Sequence, residues 1–180
     1  MNIAEKDKEL WERAAAFHGH ICPGLTIGYK AALYARDLLD LKFSEDEEVV
    51  CVTENDACGV DAISVVLGCT VGKGNLLFRL RGKQAFSFFS RYTGKRVRLV
   101  LRNRPKQDKT RDQVQQEMMD TPRDQMFEVK EPSFALPEPA RIFTSFECAC
   151  CGEKTAENHI RLQEGKKVCL DCFSSYSRFM

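Results

Sequence analysis

The stretch that decides the fold reads Leu76-Leu-Phe-Arg-Leu-Arg81, Gly82-Lys83-Gln84, Ala85-Phe-Ser-Phe-Phe-Ser90, Arg91-Tyr-Thr-Gly94-Lys95, Arg96-Val-Arg-Leu-Val-Leu101. Three runs rich in β-branched and aromatic residues alternate with short polar gaps, which predicts three successive strands. Gly82-Lys83 and Thr93-Gly94 stand where tight turns are needed. Working back from these strands, Glu47–Glu54 reads as a buried strand, and residues 57–69 as a short apolar helix ending near Gly68. Gly72 and Gly74 then mark a turn.

Two helices precede the first strand. Ile3, Leu10, Trp11, Ala14, Ala15 and Phe17 recur at helical steps, and a second helix follows over about Leu25–Leu39, opened by Pro23 and Gly24. Gly28, Ala31, Ala32 and Ala35 are small enough to let this helix pack closely. The order α-α-β-α-β-β-β predicts an α+β domain with an antiparallel-rich sheet whose helices cover one face. Beyond it, Arg104–Met126 is polar and charged, and within it Gln113, Gln115, Gln116, Glu117, Met118 and Met119 fit an amphipathic helix lying on the domain. Pro132, Pro137 and Pro139 then stiffen a connecting stretch. The expected organisation is a domain over 1–130, a proline-containing linker over 131–142 and a zinc ribbon over 143–180.

The ribbon rests on Cys148-x-x-Cys151 and Cys169-x-x-Cys172, separated by 17 residues. Each knuckle presents two sulfurs to one side of an ion, so the two together close a tetrahedral S4 shell around Zn²⁺. A unit of roughly 30 residues buries too little core to fold alone, and the metal supplies the missing stability. A saturated shell leaves no open position, which makes this zinc structural. Cys150 lies inside the first knuckle and is left out of the set by the two-residue gap.

Charge and composition exclude several classes. With a formal net charge of +1, 43% hydrophobic and 29% charged residues, the chain is ordinary for a globular protein and carries no overall basic coat for nucleic acid. No apolar run is long enough to span a bilayer. The charged start Met1-Asn-Ile-Ala-Glu-Lys has no signal-peptide core, and an odd count of nine cysteines, four of them in paired knuckles, favours metal in a reducing cytoplasm over disulfides.

The chemistry-bearing residues lie elsewhere. His18-Gly-His20-x-Cys22-Pro-Gly gathers two histidines and a thiol at a helix-to-helix break, where the following helix N-terminus favours a thiolate. The bland alternative is a structural turn with a buried histidine. Glu54-Asn-Asp56-Ala-Cys58-Gly-Val-Asp61 offers carboxylates and a second thiol at a strand-to-helix junction, with Asp56 placed to be an N-cap and Cys58 to be a small core residue. Together the segments could form a mixed N/S site from His18, His20, Cys22 and Cys58, with room for an exogenous ligand. Gly68-Cys-Thr-Val-Gly72-Lys73-Gly74-Asn75 fails the phosphate-loop template in glycine spacing, in the residue after lysine and in leaving a helix; it reads as a helix terminus and turn, with Cys69 a buried thiol. Arg96, Arg98, Arg102 and Arg104 fall on a strand and its exit, as a solvated face, a subunit contact or an anion site.

The segments His18-Gly-His20-Ile-Cys22-Pro-Gly24, Glu54-Asn-Asp56-Ala-Cys58-Gly-Val-Asp61-Ala-Ile and Gly68–Asn75, in this order, resemble the FmdE/FwdE family of formylmethanofuran dehydrogenase subunits. Several members of that family carry a C-terminal ribbon, a module also found in DksA/TraR-type regulators. The resemblance implies an α-β-α-β3 fold with a mixed sheet, a homodimer, and a transition metal (Zn²⁺, Ni²⁺ or Fe²⁺) held by His18, His20, Cys22 and Cys58, with Asp61 and Cys69 as weaker candidates. It further implies association with a molybdenum or tungsten oxidoreductase. No pterin-binding motif or ferredoxin cysteine run is present, so the chain cannot oxidise formylmethanofuran alone. The expected function is a metal-binding accessory protein or subunit. The alternatives are a stand-alone metal- or thiol-dependent enzyme and a zinc-ribbon regulator or nucleic-acid binder.

Overall fold

The computed structural model describes residues 3–103 and 108–178, in two compact units, Met1–Ala140 and Arg141–Met180. In the first unit the elements run α1 Ile3–His18, α2 Pro23–Leu39, β1 Val49–Thr53, α3 Gly59–Leu67, β2 Leu76–Phe78, β3 Ala85–Ser90, β4 Arg96–Leu101, α4 Arg111–Asp120, α5 Arg123–Met126 and β5 Phe127–Lys130. None of the helices is long and apolar enough to cross a membrane, among the described residues.

Local chemistry explains the boundaries. Cys22 is the N-cap of α2: its backbone is extended, its Sγ accepts the Leu25 N–H at 3.3 Å, and Pro23 fills the first turn, where no N–H is needed. Asp40 ends α2 in the left-handed region, its N–H returning to the Arg36 carbonyl. Gly68, at φ 71°, ends α3 in the same way. Helix α4 opens on a reciprocal capping box between Thr110 and Gln113.

The sheet is mixed, in the order β2-β1-β3-β4-β5. β1 and β2 pair in parallel through the crossover α3, with Val52 opposite Leu77, and every other neighbour is antiparallel. β1 therefore sits between β2 and β3. Side chains alternate across the pleat. Val49, Cys51, Phe86, Phe88, Val97 and Leu99 enter the main core beneath the helices, while Val50, Val52 and Phe89 face the other way. That second face is covered by Phe134 and Leu136, which leaves all of β1 and β3 buried.

Three observations adjust the sequence reading. The fifth strand, Phe127–Lys130, was not expected; it is too short to show a period of its own and is made a strand by its register against β4. The expected helix around Gln113–Met119 is α4, with Met118 buried and Gln115 bonded to the Thr26 hydroxyl at 3.2 Å, and the short α5 follows after Pro122; Arg104 lies outside the described residues. Part of the proline-rich stretch is fastened to the sheet. Arg91 donates to the Pro137 carbonyl at 2.9 Å, and Glu47 accepts the Ala140 N–H at 2.9 Å.

The arginine stripe of β4 is also differently employed. Arg98 Nε and Nη2 donate to Glu54 Oε1 and Oε2 at 2.6 and 3.0 Å, a bidentate pair with Glu54 buried, and Arg96 pairs with Glu131. The two Arg98 hydrogen bonds hold the Glu54 carboxyl below its usual value near 4.5, against the opposing effect of burial. A carboxylate with a depressed folded pKa contributes stability that is complete above its unfolded value and is lost as pH falls through the folded one. Glu54→Gln is therefore expected to cost about 3 kcal/mol at pH 7, the lower end for breaking a buried pair, because Arg98 loses its bidentate carboxylate. It should also flatten part of the acid limb of unfolding. Urea titrations of both proteins between pH 7 and pH 3 check this, and parallel curves would refute it.

Candidate metal centres

The first centre forms where three elements meet. α1 ends at His18, α2 begins after Cys22, and the loop between them carries His20. Ligand atoms of His18, His20 and Cys22 lie within 4.8 Å of one another. His18 Nε2 is 3.9 Å from Cys22 Sγ, and the two imidazole centroids are 4.4 Å apart. The histidines, two residues apart, thus point to one side, and neither is sequestered as a core histidine. Cys22 is buried, and its Sγ already receives a backbone N–H, as suits a thiolate ligand at a helix N-terminus.

Asp61, on the first turn of α3, places Oδ2 2.7 Å from His18 Nδ1. A carboxylate there holds the proton on Nδ1 and leaves the Nε2 lone pair facing Cys22, the usual support of a metal-ligating histidine. Asp61 ranked among the weaker ligand candidates in the sequence; its place in the structure is behind His18. Asp61→Asn is expected to weaken metal binding at this centre by about 10–100-fold. Competition against a chromophoric chelator measures the change, and an unaltered affinity would remove Asp61 from the site.

Cys58 reaches the same place from α3. It is the N-cap of that helix, but with helical backbone and no capping side-chain bond, so the capping role expected of Asp56 is not filled by Asp56 either. Cys58 Sγ and Cys22 Sγ flank Gly24, 3.6 and 3.8 Å from where its Cβ would stand, though Cys58 is not part of the mutually close trio. Burial raises its pKa, and the adjacent Cys22 sulfur adds to this. Two sulfurs side by side resist joint ionisation, and a bound cation reverses that preference. The turn before Cys58 is tied down by Asn55, whose Oδ1 accepts the Ala57 N–H and whose Nδ2 donates to the Lys83 carbonyl.

The approach of α3 to α2 depends on glycine. A Cβ on Gly28 would stand 1.9 Å from the Gly59 carbonyl oxygen, and one on Gly59 would meet the Gly24 carbonyl oxygen and the Gly28 backbone at 3.0 Å. Only with both side chains missing can Cys58 and Asp61 come up to Cys22 and His18. Cys69 takes no part: it is fully buried, donates to the Val49 carbonyl and has its pKa pushed up to about 12 by burial. The Gly68–Asn75 segment is structural. Asn75 Nδ2 bonds the Asp46 and Val49 carbonyls at 2.9 Å, and Lys73 Nζ donates to the Ser44 carbonyl.

In the second unit two hairpins, β6 Ser145–Glu147 with β7 Lys154–Ala156 and β8 Arg161–Gln163 with β9 Lys166–Val168, carry the knuckles. Ligand atoms of Cys148, Cys151, Cys169 and Cys172 lie within 4.8 Å of one another, and Cys150 is exposed outside that set. Backbone N–H groups of Cys151, Cys169 and Cys150 hold Cys148 down to about 6, whereas the Cys169 thiol pushes Cys172 up. Four sulfurs this close cannot all ionise without a cation, and S4 donors in this geometry fit Zn²⁺.

Residues 17–136 match a family described as FmdE, molybdenum formylmethanofuran dehydrogenase operon. The chain belongs to the FmdE family. The FmdE region holds the whole of the first centre, and residues 141–178 match the prokaryotic dksA/traR C4-type zinc finger, which holds the second. A crystal structure of a tungsten formylmethanofuran dehydrogenase FmdE-like protein from Syntrophus aciditrophicus shares the fold. Its TM-score is 0.63 at 22% identity, over 92% of this chain and 91% of that one. A probable S-adenosyl-L-methionine-binding protein of Archaeoglobus fulgidus is 28% identical over 207 aligned residues, 97% of this chain. The chain spans 55% of that relative's length.

Proposed function

We propose that this FmdE family member is a metal-binding accessory protein or subunit working beside a molybdenum or tungsten oxidoreductase. Its own transition metal would be held by His18, His20 and Cys22, with Cys58 at the fourth position, and a structural zinc would sit in the finger. The observation that carries this reading is the convergence of His18, His20 and Cys22 with Asp61 behind His18. Mixed imidazole and thiolate donors suit Zn²⁺, Ni²⁺ or Fe²⁺. The operon named in the family description supports a molybdenum partner, and the description of the Syntrophus aciditrophicus protein a tungsten one. A homodimer in the cytoplasm belongs to the same proposal.

Elemental analysis of the purified protein is expected to give two metals per chain, one of them lost in the Cys22→Ser, Cys58→Ser double variant. A single metal that survives both changes would overturn the reading. A stand-alone enzyme is the second reading, favoured by one observation: a groove opens beside His18 and Cys58, so the centre is accessible from one side. Solvent on the metal in a loaded crystal would support it, and four protein ligands with no solvent would refute it.

A further inference from the structure

The groove beside His18 and Cys58 measures ≈ 560 Å³ and lies wholly within the first unit. Its walls are of two kinds. Phe17, Val71 and Phe78 line it while 64%, 64% and 46% exposed, large apolar side chains left open to water around one depression. Asp56 and Asp61 supply carboxylates to the same walls, and no lysine or arginine lines it among the described residues. The nearby cations are engaged elsewhere. Lys73 bonds the Ser44 carbonyl and sits over the Phe43 ring, and Arg79 stacks on Phe134. His18 is held by Asp61, whose side chain is still 42% exposed.

Aromatic side chains beside carboxylates, with no lysine or arginine between them, are an arrangement that recognises an organic cation. A phosphorylated or otherwise anionic ligand would meet two carboxylates along the walls, with no lysine or arginine there to offset them. A second copy of the chain suits the groove less well where the groove would lie on the two-fold axis, because Asp56 and Asp61 of both copies would then meet. We propose that the groove binds a small organic cation, its apolar body against Phe17, Val71 and Phe78, its charge beside Asp56 and Asp61, and one end at the His18–Cys22 centre. This names the ligand class of the site proposed above and rests on that reading only for what the ligand's end would meet.

The probe is phenyltrimethylammonium, whose nitrogen has no lone pair and cannot ligate a metal; benzenesulfonate serves as the anionic counterpart. Titration followed by NMR on the full chain is expected to shift Phe17, Val71 and Phe78 resonances with the cation, with affinity roughly tenfold above that of the anion. Asp56→Asn should reduce that preference several-fold and Phe78→Ala should weaken the cation, with the fold read from the same spectra. The preference should persist in Cys22→Ser protein lacking the first metal, so that a failed metal reading and a failed groove reading give different results. Equal or tighter binding of the anion, or no shifts at these residues at millimolar cation, would overturn the proposal. So would a dimer that closes the groove and is released by Phe78→Ala, which would assign the face to a second copy.

Discussion

Gly28→Ala is expected to destabilise the first unit by about 3 kcal/mol or more, the upper range for forcing atoms into a packed contact. The added methyl would lie 1.9 Å from the Gly59 carbonyl oxygen. The obstacle is backbone on α3 and not the end of a flexible side chain, so relief requires the two helices to separate. That separation would carry Cys58 and Asp61 away from Cys22 and His18. Loss of the first metal should therefore accompany the fall in urea midpoint. Gly72→Ala is the control: its Cβ would meet nothing within 4 Å, and its midpoint should hold or rise slightly. An unchanged midpoint with full metal in Gly28→Ala would show that the helices do not need this contact.

Removal of zinc from the finger should unfold the second unit and leave the first standing. The unit's own core is slight: Cys148, Val168 and Cys169 are buried, with Cys172 and Phe173 packed against them. Three of these five residues are the sulfur ligands themselves. Structural zinc in units of this size contributes roughly 10–16 kcal/mol of apparent binding free energy, far more than such a core can replace. With a strong chelator, or in Cys169→Ser, amide resonances of residues 145–173 are expected to collapse to random-coil positions while those of residues 49–101 keep their dispersion. Because the ligands must be thiolates, acid should release the metal as well. A finger that remains dispersed after chelation would refute the structural role.

The strands β3 and β4 and the helices α1 and α2 were legible because each has a period and a turn or cap of its own. The Phe127–Lys130 strand was not legible, since four residues show no period and its partner lies in β4. The same limit kept two long-range partnerships out of the sequence reading. Arg98 read as part of a solvated face, a subunit contact or an anion site, because its partner Glu54 is 44 residues away. Asp61 had no local feature to place it behind His18, since its hydrogen bond to His18 spans 43 residues.

By itself the sequence determined what short-range geometry can determine: the cysteine knuckles, the Cys22-Pro-Gly start of α2, the α+β order and the residue types able to bind metal. A knuckle's two sulfurs and a helix's first turn are set by neighbouring backbone atoms, so their spacing is sufficient to read them. Tertiary structure alone decided that β1 lies between β2 and β3, and that Gly28 and Gly59 touch. It also put Asp61 behind His18 and stood an acidic, aromatic groove beside the centre. Those relations depend on how closely two helices cross, a distance set by packing between segments that no local pattern records.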